Sequence, residues 1–190
     1  MSGETKTVER IPFPFAVGIL VCLILIPGLF LGKWNFTTWI IFITWAEYFV
    51  FGATPAAWKR MIPSLAFGSA TAALWVANWT LFESLFGTNF ESTFATWLIL
   101  GGTNFIWVTG LCYAIAKVKL FQDNALACFN GLTLFLAVWF TGSFPDVLAP
   151  GTSAYVLIFF AFVWNTVMCW LGYVAGVVNM WLTFPKTVKA

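Results

Sequence analysis

One acidic side chain, Glu47, stands inside an apolar stretch of the sequence that is long enough to enter a lipid bilayer. A carboxylate in hydrocarbon costs roughly 2.5–3.5 kcal/mol on insertion scales, so acids at such depth pair with a cation, face a cavity or carry function. The basic residues Lys59 and Arg60 follow after a connection broken by Gly52 and Pro55. Two interpretations stay open: Glu47 faces a polar cavity, or it lies one turn from the membrane surface and pairs with Lys59 or Arg60.

Amide and aromatic side chains in other apolar segments extend this candidate site. An amide without a partner in hydrocarbon costs several kcal/mol, so we expect such groups to converge. Small and polar neighbours of Asn104 predict that its face of the fourth segment looks inward. A cation or a proton on Glu47 is the chemistry that such a cluster supports. The candidate residues for binding a small solute or an ion are Glu47, Tyr48, Asn104, Trp107, Asn130 and Asn165.

The residue types needed for other chemistries are missing. The chain has no histidine, and its only four cysteines follow no metal-binding spacing, so we predict free thiols, no metal and no cofactor. A lone glutamate without histidine or a second buried acid is a poor acid–base pair, and we predict no catalytic residues and no enzyme activity. The net charge of +2 is not gathered on a basic face, which argues against nucleic acid as a partner.

Composition sets the fold class. Hydrophobic residues make up 61% of the chain and charged residues 8%, against about 25% charged in soluble domains. We predict an all-α, polytopic transmembrane helical bundle of about six spans. Residues 1–10 form a cytoplasmic N-terminal segment, 11–182 the single transmembrane domain and 183–190 a cytoplasmic tail. The six apolar segments are Ile11–Leu31, Phe36–Phe51, Ile62–Phe82, Phe94–Ala116, Ala125–Phe140 and Tyr155–Val178.

The positions of lysine and arginine predict the orientation. Cytoplasmic loops of membrane proteins carry an excess of these residues. With six spans and both termini in the cytoplasm, only Lys33 lies on the outer side. The basic residues on the inner side are Lys6, Arg10, Lys59, Arg60, Lys117, Lys119, Lys186 and Lys189.

Small residues at helical spacing predict two close-packing faces. One is formed by Ser64, Gly68 and Ala72, and the other by Gly172 and Gly176. Such faces let helix backbones approach closely, either within one chain or between chains. The predicted partners are therefore the lipid bilayer, a small solute or ion, and either further copies of the chain or a larger membrane complex.

The segment from Tyr48 to Trp75 resembles that from Tyr113 to Trp139. Each runs from a tyrosine through a basic loop to a tryptophan, which predicts two hairpins in the same orientation. Transporters built from repeats tend to bind solutes at the interface between the repeats. Chance similarity between two segments of biased composition is an equal alternative.

Several short patterns resemble the small bacterial inner-membrane proteins grouped as domain of unknown function 1097. They are Trp34, Phe36 and Trp39, the pair Tyr48 and Phe49, Pro55 with Lys59, Ser64 with Gly68, and Phe129 with Gly131. The resemblance implies a multi-pass helical bundle in the bacterial inner (cytoplasmic) membrane. It supplies no assigned chemistry.

The sequence thus leads to two hypotheses about function. The first is a channel or secondary transporter for a small solute or ion, with Glu47 at its centre. The alternative is a non-catalytic membrane subunit or scaffold that packs against a larger complex, which the twelve tryptophans and twenty-two phenylalanines would suit.

Overall fold

Helices make up nearly all of the described chain. The computed structural model describes residues 5–7, 9–86, 93–184 and 187–189. Each of the six predicted apolar segments contains one long helix, and a four-residue helix precedes the fifth segment. The elements are β1 (Thr5–Thr7), α1 (Phe13–Phe30), α2 (Thr38–Val50), α3 (Trp58–Phe86), α4 (Thr93–Lys117), α5 (Lys119–Gln122), α6 (Ala125–Thr141), α7 (Ala154–Thr183) and β2 (Thr187–Lys189).

Helix length separates two groups. Four helices, α1, α3, α4 and α7, are long and apolar enough to cross a membrane. With 13 and 17 residues, α2 and α6 are shorter. At about 1.5 Å per residue they measure roughly 20 and 26 Å, below the roughly 30 Å of a hydrocarbon core. The structure thus has four helices of spanning length, in agreement with an all-α membrane protein.

Helices α2 and α7 run in the same direction and cross at two glycines of α7. A Cβ added to Gly172 would overlap Thr44, and one added to Gly176 would overlap the Tyr48 ring. Each step of four residues along α7 therefore matches a step of four along α2. This crossing is possible only because α7 carries no side chain at these two positions.

Helices α3 and α6 make the second close crossing, also in parallel. A Cβ on Gly68 would overlap the Cys128 carbonyl, and one on Gly131 would overlap the Leu65 carbonyl. Further along, Trp79 of α3 meets Phe140 of α6 with ring centroids 6.0 Å apart. At Gly68 and Gly131 the two helix backbones are therefore in direct contact, without side chains between them.

The two predicted small-residue faces therefore pack inside the chain. Ser64, Gly68 and Ala72 are buried against α6, and Gly172 and Gly176 are buried against α2. They are not open to another copy, so the expectation that they form an outer interface is wrong.

The remaining contacts reveal two related three-helix units. Helix α7 is antiparallel to α3, because Trp58 meets Trp170 while Ser69 meets Asn165. Helix α1 packs on α7, and α4 packs on α3. Unit α1–α2–α3 and unit α4–α6–α7 thus make equivalent contacts when α1 is matched with α4, α2 with α6 and α3 with α7. Helices α3 and α7 are adjacent at the centre. Corresponding helices of the two units point in opposite directions, which makes the repeat an inverted one.

The loops support the same relation. In each unit, the loop between the last two helices has a glycine with positive φ and a proline three residues later. These residues are Gly52 and Pro55 in the first unit, and Gly142 and Pro145 in the second. The helix packing does not follow the predicted parallel repeat. In that repeat α4 corresponds to α2, yet α2 packs on α7 and α4 on α3.

Both ends of the described chain meet at one end of the bundle, which we call the terminal end. Strands β1 and β2 pair antiparallel, with Thr5 opposite Lys189, and the Arg10 N–H donates to the Thr183 carbonyl at 2.8 Å. The opposite, distal end is joined by Asn35, whose amide donates to the Phe144 carbonyl at 2.8 Å. Lys186 lies outside the described residues.

Gly131→Ala should destabilise the protein by about 1–3 kcal/mol, because the new methyl group overlaps the α3 backbone, which cannot move without separating the helices. The matched control is Gly110→Ala, since nothing lies within 4 Å of its added Cβ. Thermal unfolding in detergent measures both. Equal unfolding temperatures for the two variants would show that α3 and α6 do not cross at Gly131.

Candidate functional site

Glu47 lies in the interior of the bundle, on the last turn of α2. Its side chain is 3% exposed, and neither carboxyl oxygen has a hydrogen-bond partner. The Asn130 amide of α6 lies beside it without reaching hydrogen-bond geometry. The Cys128 thiol of α6 and the Cys169 thiol of α7 are close enough to interact with it electrostatically. Glu47 is therefore enclosed by both units of the bundle and lacks a neutralising cation.

The alternative in which Glu47 pairs with Lys59 or Arg60 is wrong. Both basic residues lie on the exposed first turn of α3, and the Arg60 guanidinium sits 5.7 Å from the centroid of the Phe51 ring. They are not loop residues as predicted, because α3 begins at Trp58. The Arg60 side chain therefore covers Phe51 at the end of α2 and does not reach the Glu47 carboxyl.

A buried hydrogen-bond chain crosses the centre of the bundle. Asn165 of α7 donates from Nδ2 to Ser69 Oγ of α3 at 2.8 Å, and that hydroxyl donates to the Gly131 carbonyl of α6 at 2.9 Å. Asn165 Oδ1 is fully buried and has no partner. The chain links α7 to the α3–α6 crossing, and Asn165 lies one helical turn from Cys169, which neighbours Glu47.

Further polar groups in the interior were missed at the sequence level. Asn179 and Thr183 of α7 are fully buried, and none of their side-chain polar atoms has a partner. The Tyr48 hydroxyl is buried without a partner as well. A signal was available, because Asn165, Gly172 and Asn179 recur every seven residues and so lie on one face of a helix.

Two of the predicted site residues lie outside the interior. Asn104 of α4 is exposed and Trp107 is partly exposed, while Thr109 is exposed on the same helix. The neighbouring Thr103 turns inward instead, and its hydroxyl accepts a hydrogen bond from Trp75 Nε1 at 3.0 Å. The prediction that the Asn104 face looks into the bundle is wrong, because α4 packs on α3 by its other side.

Two pockets lie near the ends of the site. At the distal end, a pocket of about 390 Å³ is lined by polar residues that include Asn35, Thr37 and Ser143. At the terminal end, a pocket of about 140 Å³ is lined by Phe51, Arg60, Asp123 and Asn124, with Val50 and Leu126. The second pocket begins three residues after Glu47, at Val50, about 4.5 Å along the helix axis.

Ser69→Ala should lower stability by roughly 1 kcal/mol, because it leaves the Asn165 amide and the Gly131 carbonyl without their bonds in an apolar interior. Thr133→Ala is the control, since this exposed hydroxyl bonds only within its own helix. Unfolding in detergent gives the comparison. No difference between the variants would mean that the buried chain contributes nothing to stability.

Comparison with known proteins identifies no relative. No protein-family model matches the chain, and no curated protein or solved structure matches it significantly. The resemblance to domain of unknown function 1097 stays a prediction.

Proposed function

We propose that this chain is an integral membrane channel or secondary transporter for a small solute or ion, with Glu47 at its central site. The observation that carries the proposal is the burial of this acid beside α6 and α7, with no cation next to it among the described residues. A charged carboxylate in such a place is too costly to keep for packing alone. An exchangeable occupant that neutralises it explains why the interior contains an acid.

The inverted relation of the two units supports this function. Membrane transporters are commonly built from repeats of opposite orientation, and they bind their cargo near the repeat interface. Here the Ser69–Asn165 bond joins the two units, and Glu47 of the first unit lies beside Asn130 of the second. The candidate site is therefore placed where two such units would move against each other.

The topology we propose has six spans with both termini in the cytoplasm of a bacterium and the bundle in the inner membrane. The pairing of β1 with β2 supports an even number of spans, because it places both chain ends at one end of the bundle. The distribution of lysine and arginine supports the cytoplasmic assignment. The short helices α2 and α6 each pack along a longer helix, α7 and α3 respectively.

Glu47→Gln should reduce solute or ion flux in proteoliposomes to the level of protein-free liposomes, because the amide keeps the shape of the carboxyl but cannot be neutralised reversibly. Asp146→Asn is the matched control, since it removes an exposed acid at the distal end. Flux is measured for a panel of small solutes and ions. Unchanged flux in Glu47→Gln would remove this residue from the mechanism.

The second candidate is a non-catalytic subunit of a larger membrane assembly, favoured by the outer face of α4. The exposed Asn104 makes no side-chain hydrogen bond in the structure, although it lies within an apolar helix of spanning length. In lipid such an amide is stabilised when it forms a hydrogen bond with a polar group of another helix. The same face would serve a homo-oligomer.

This second function predicts that α4 contacts another protein. Cys112 is exposed on α4, so a variant that keeps it as the sole cysteine should crosslink in membranes to a copy or a fixed partner. The matched control keeps Cys22 alone, which is exposed on α1. Crosslinks that form equally from both positions, or from neither, would contradict a specific interface on α4.

A further inference from the structure

Three buried oxygen atoms without partners lie in the interior of the bundle, on two of its helices. They are the two carboxyl oxygens of Glu47 on α2 and Oδ1 of Asn165 on α7. Buried polar atoms in folded proteins are nearly always hydrogen-bonded, so an orphaned group of this kind indicates an occupant that supplies a donor. All three atoms are acceptors when Glu47 is ionised, and none of them can satisfy another.

The orientation of the Asn165 amide is fixed by its neighbours. Its Nδ2 donates to Ser69 Oγ, and the Ser69 proton is already used toward the Gly131 carbonyl. If the amide were flipped, its oxygen would face a hydroxyl that has only lone pairs left to offer. Oδ1 of Asn165 is therefore held free as an acceptor.

No cation in the part of the chain that the structure describes neutralises Glu47. The titratable groups that face it are the thiols of Cys128 on α6 and Cys169 on α7, with Tyr48 next to it on its own helix. On α3, Ser64 lies beside Cys128, and its hydroxyl donates to the Arg60 carbonyl at 2.8 Å. The described residues therefore do not supply the positive charge that an ionised Glu47 requires.

The packing around the site favours the smallest cation. The helices around Glu47 are tightly packed at Gly68, Gly131 and Gly172. Atoms of the neighbouring helix occupy the space that a side chain at each of these glycines would fill. An alkali-metal ion needs five or six oxygen ligands and the volume to hold them. A proton needs only one carboxyl oxygen.

We propose that the occupant of this site is a proton, so that Glu47 is held as a carboxylic acid between the two units. This proton exchanges with water through the terminal-end pocket, which is lined by Phe51, Arg60, Asp123 and Asn124. On release the carboxyl O–H bond breaks and the proton passes to a water molecule, without any change of oxidation state. The inference rests on the proposed function and deepens it, because a protonated Glu47 would serve proton-coupled transport or proton conduction. The proton site itself is measurable without transport.

The terminal-end pocket supplies the route to water. It begins one helical turn beyond Glu47, and its lining includes Asn124, which is 3% exposed with Oδ1 unpartnered. Phe51 is buried, lines this pocket and follows Glu47 by one helical turn, and Arg60 covers its ring. We take this ring as the barrier to proton exchange between the pocket and the acid.

Infrared spectroscopy of the full-length protein in liposomes tests the proton directly. At neutral pH the wild type should show the carbonyl-stretch band of a buried protonated carboxyl, and Glu47→Gln should lose that band completely. Asp146→Asn should keep it. Asn130→Leu should shift the band, because it removes the amide beside the Glu47 carboxyl, whereas the exposed-amide control Asn104→Leu should leave the band in place. Absence of the band in wild type overturns the proposal.

A second measurement separates a proton from a metal ion. Thermal unfolding is compared in sodium, potassium and choline chloride at constant pH. Stabilisation of the wild type by sodium or potassium, lost in Glu47→Gln, would show a metal site and overturn the proton proposal. Equal stability in the three salts supports it.

The route has its own test through hydrogen–deuterium exchange. Phe51→Ala should speed the shift of the carboxyl band in heavy water several-fold, while Phe144→Ala at the distal end should leave the rate unchanged. Faster exchange in Phe144→Ala alone would place the route at the other end and overturn this part of the proposal.

The flux assay then distinguishes the two failures. If the carboxyl band is present but no solute or ion moves in proteoliposomes, the proton site stands and the transport function fails. If flux requires Glu47 but the band is absent, transport stands and the proton fails.

Discussion

The lack of water in a bilayer interior is the constraint on which this structure depends. Polar groups there must find partners inside the protein, and helices must associate without a hydrophobic driving force. The bundle meets the second requirement with glycines, since Gly68, Gly131 and Gly172 let backbone approach backbone. It meets the first for the Ser69 hydroxyl and Nδ2 of Asn165, but not for the carboxyl oxygens of Glu47. The unmet requirement marks the candidate site.

The two crossings and the central contact give the molecule its organisation. Helices α2 and α7 form one parallel pair, α3 and α6 form the other, and α3 with α7 joins them. Each pair combines a helix from the first unit with a helix from the second. A change in the relative position of the units therefore has to move both pairs, and Glu47 lies beside the helices that would carry that motion.

The two units differ where function is expected. The peripheral helix of the first unit, α1, is apolar throughout its exposed surface, whereas its counterpart α4 exposes Asn104 and Thr109. Among the described residues, the buried acid also occurs in one unit only. The two units are therefore similar in packing and different in chemistry.

Composition and hydrophobic pattern alone predicted the helical class, the positions of the six long helices, the acid that lies inside and the small residues at the crossings. These follow from local rules, because an apolar run of sufficient length forms a helix and a costly acid within it stands out. Which helix meets which was decided only by the tertiary structure. Pairing depends on distant residues, such as Gly172 against Thr44 and Gly68 against Cys128. For the same reason the sequence placed Asn104 inside and left open whether Glu47 pairs with Lys59 or Arg60, whereas packing turned the Asn104 face of α4 outward and left Glu47 unpaired with either.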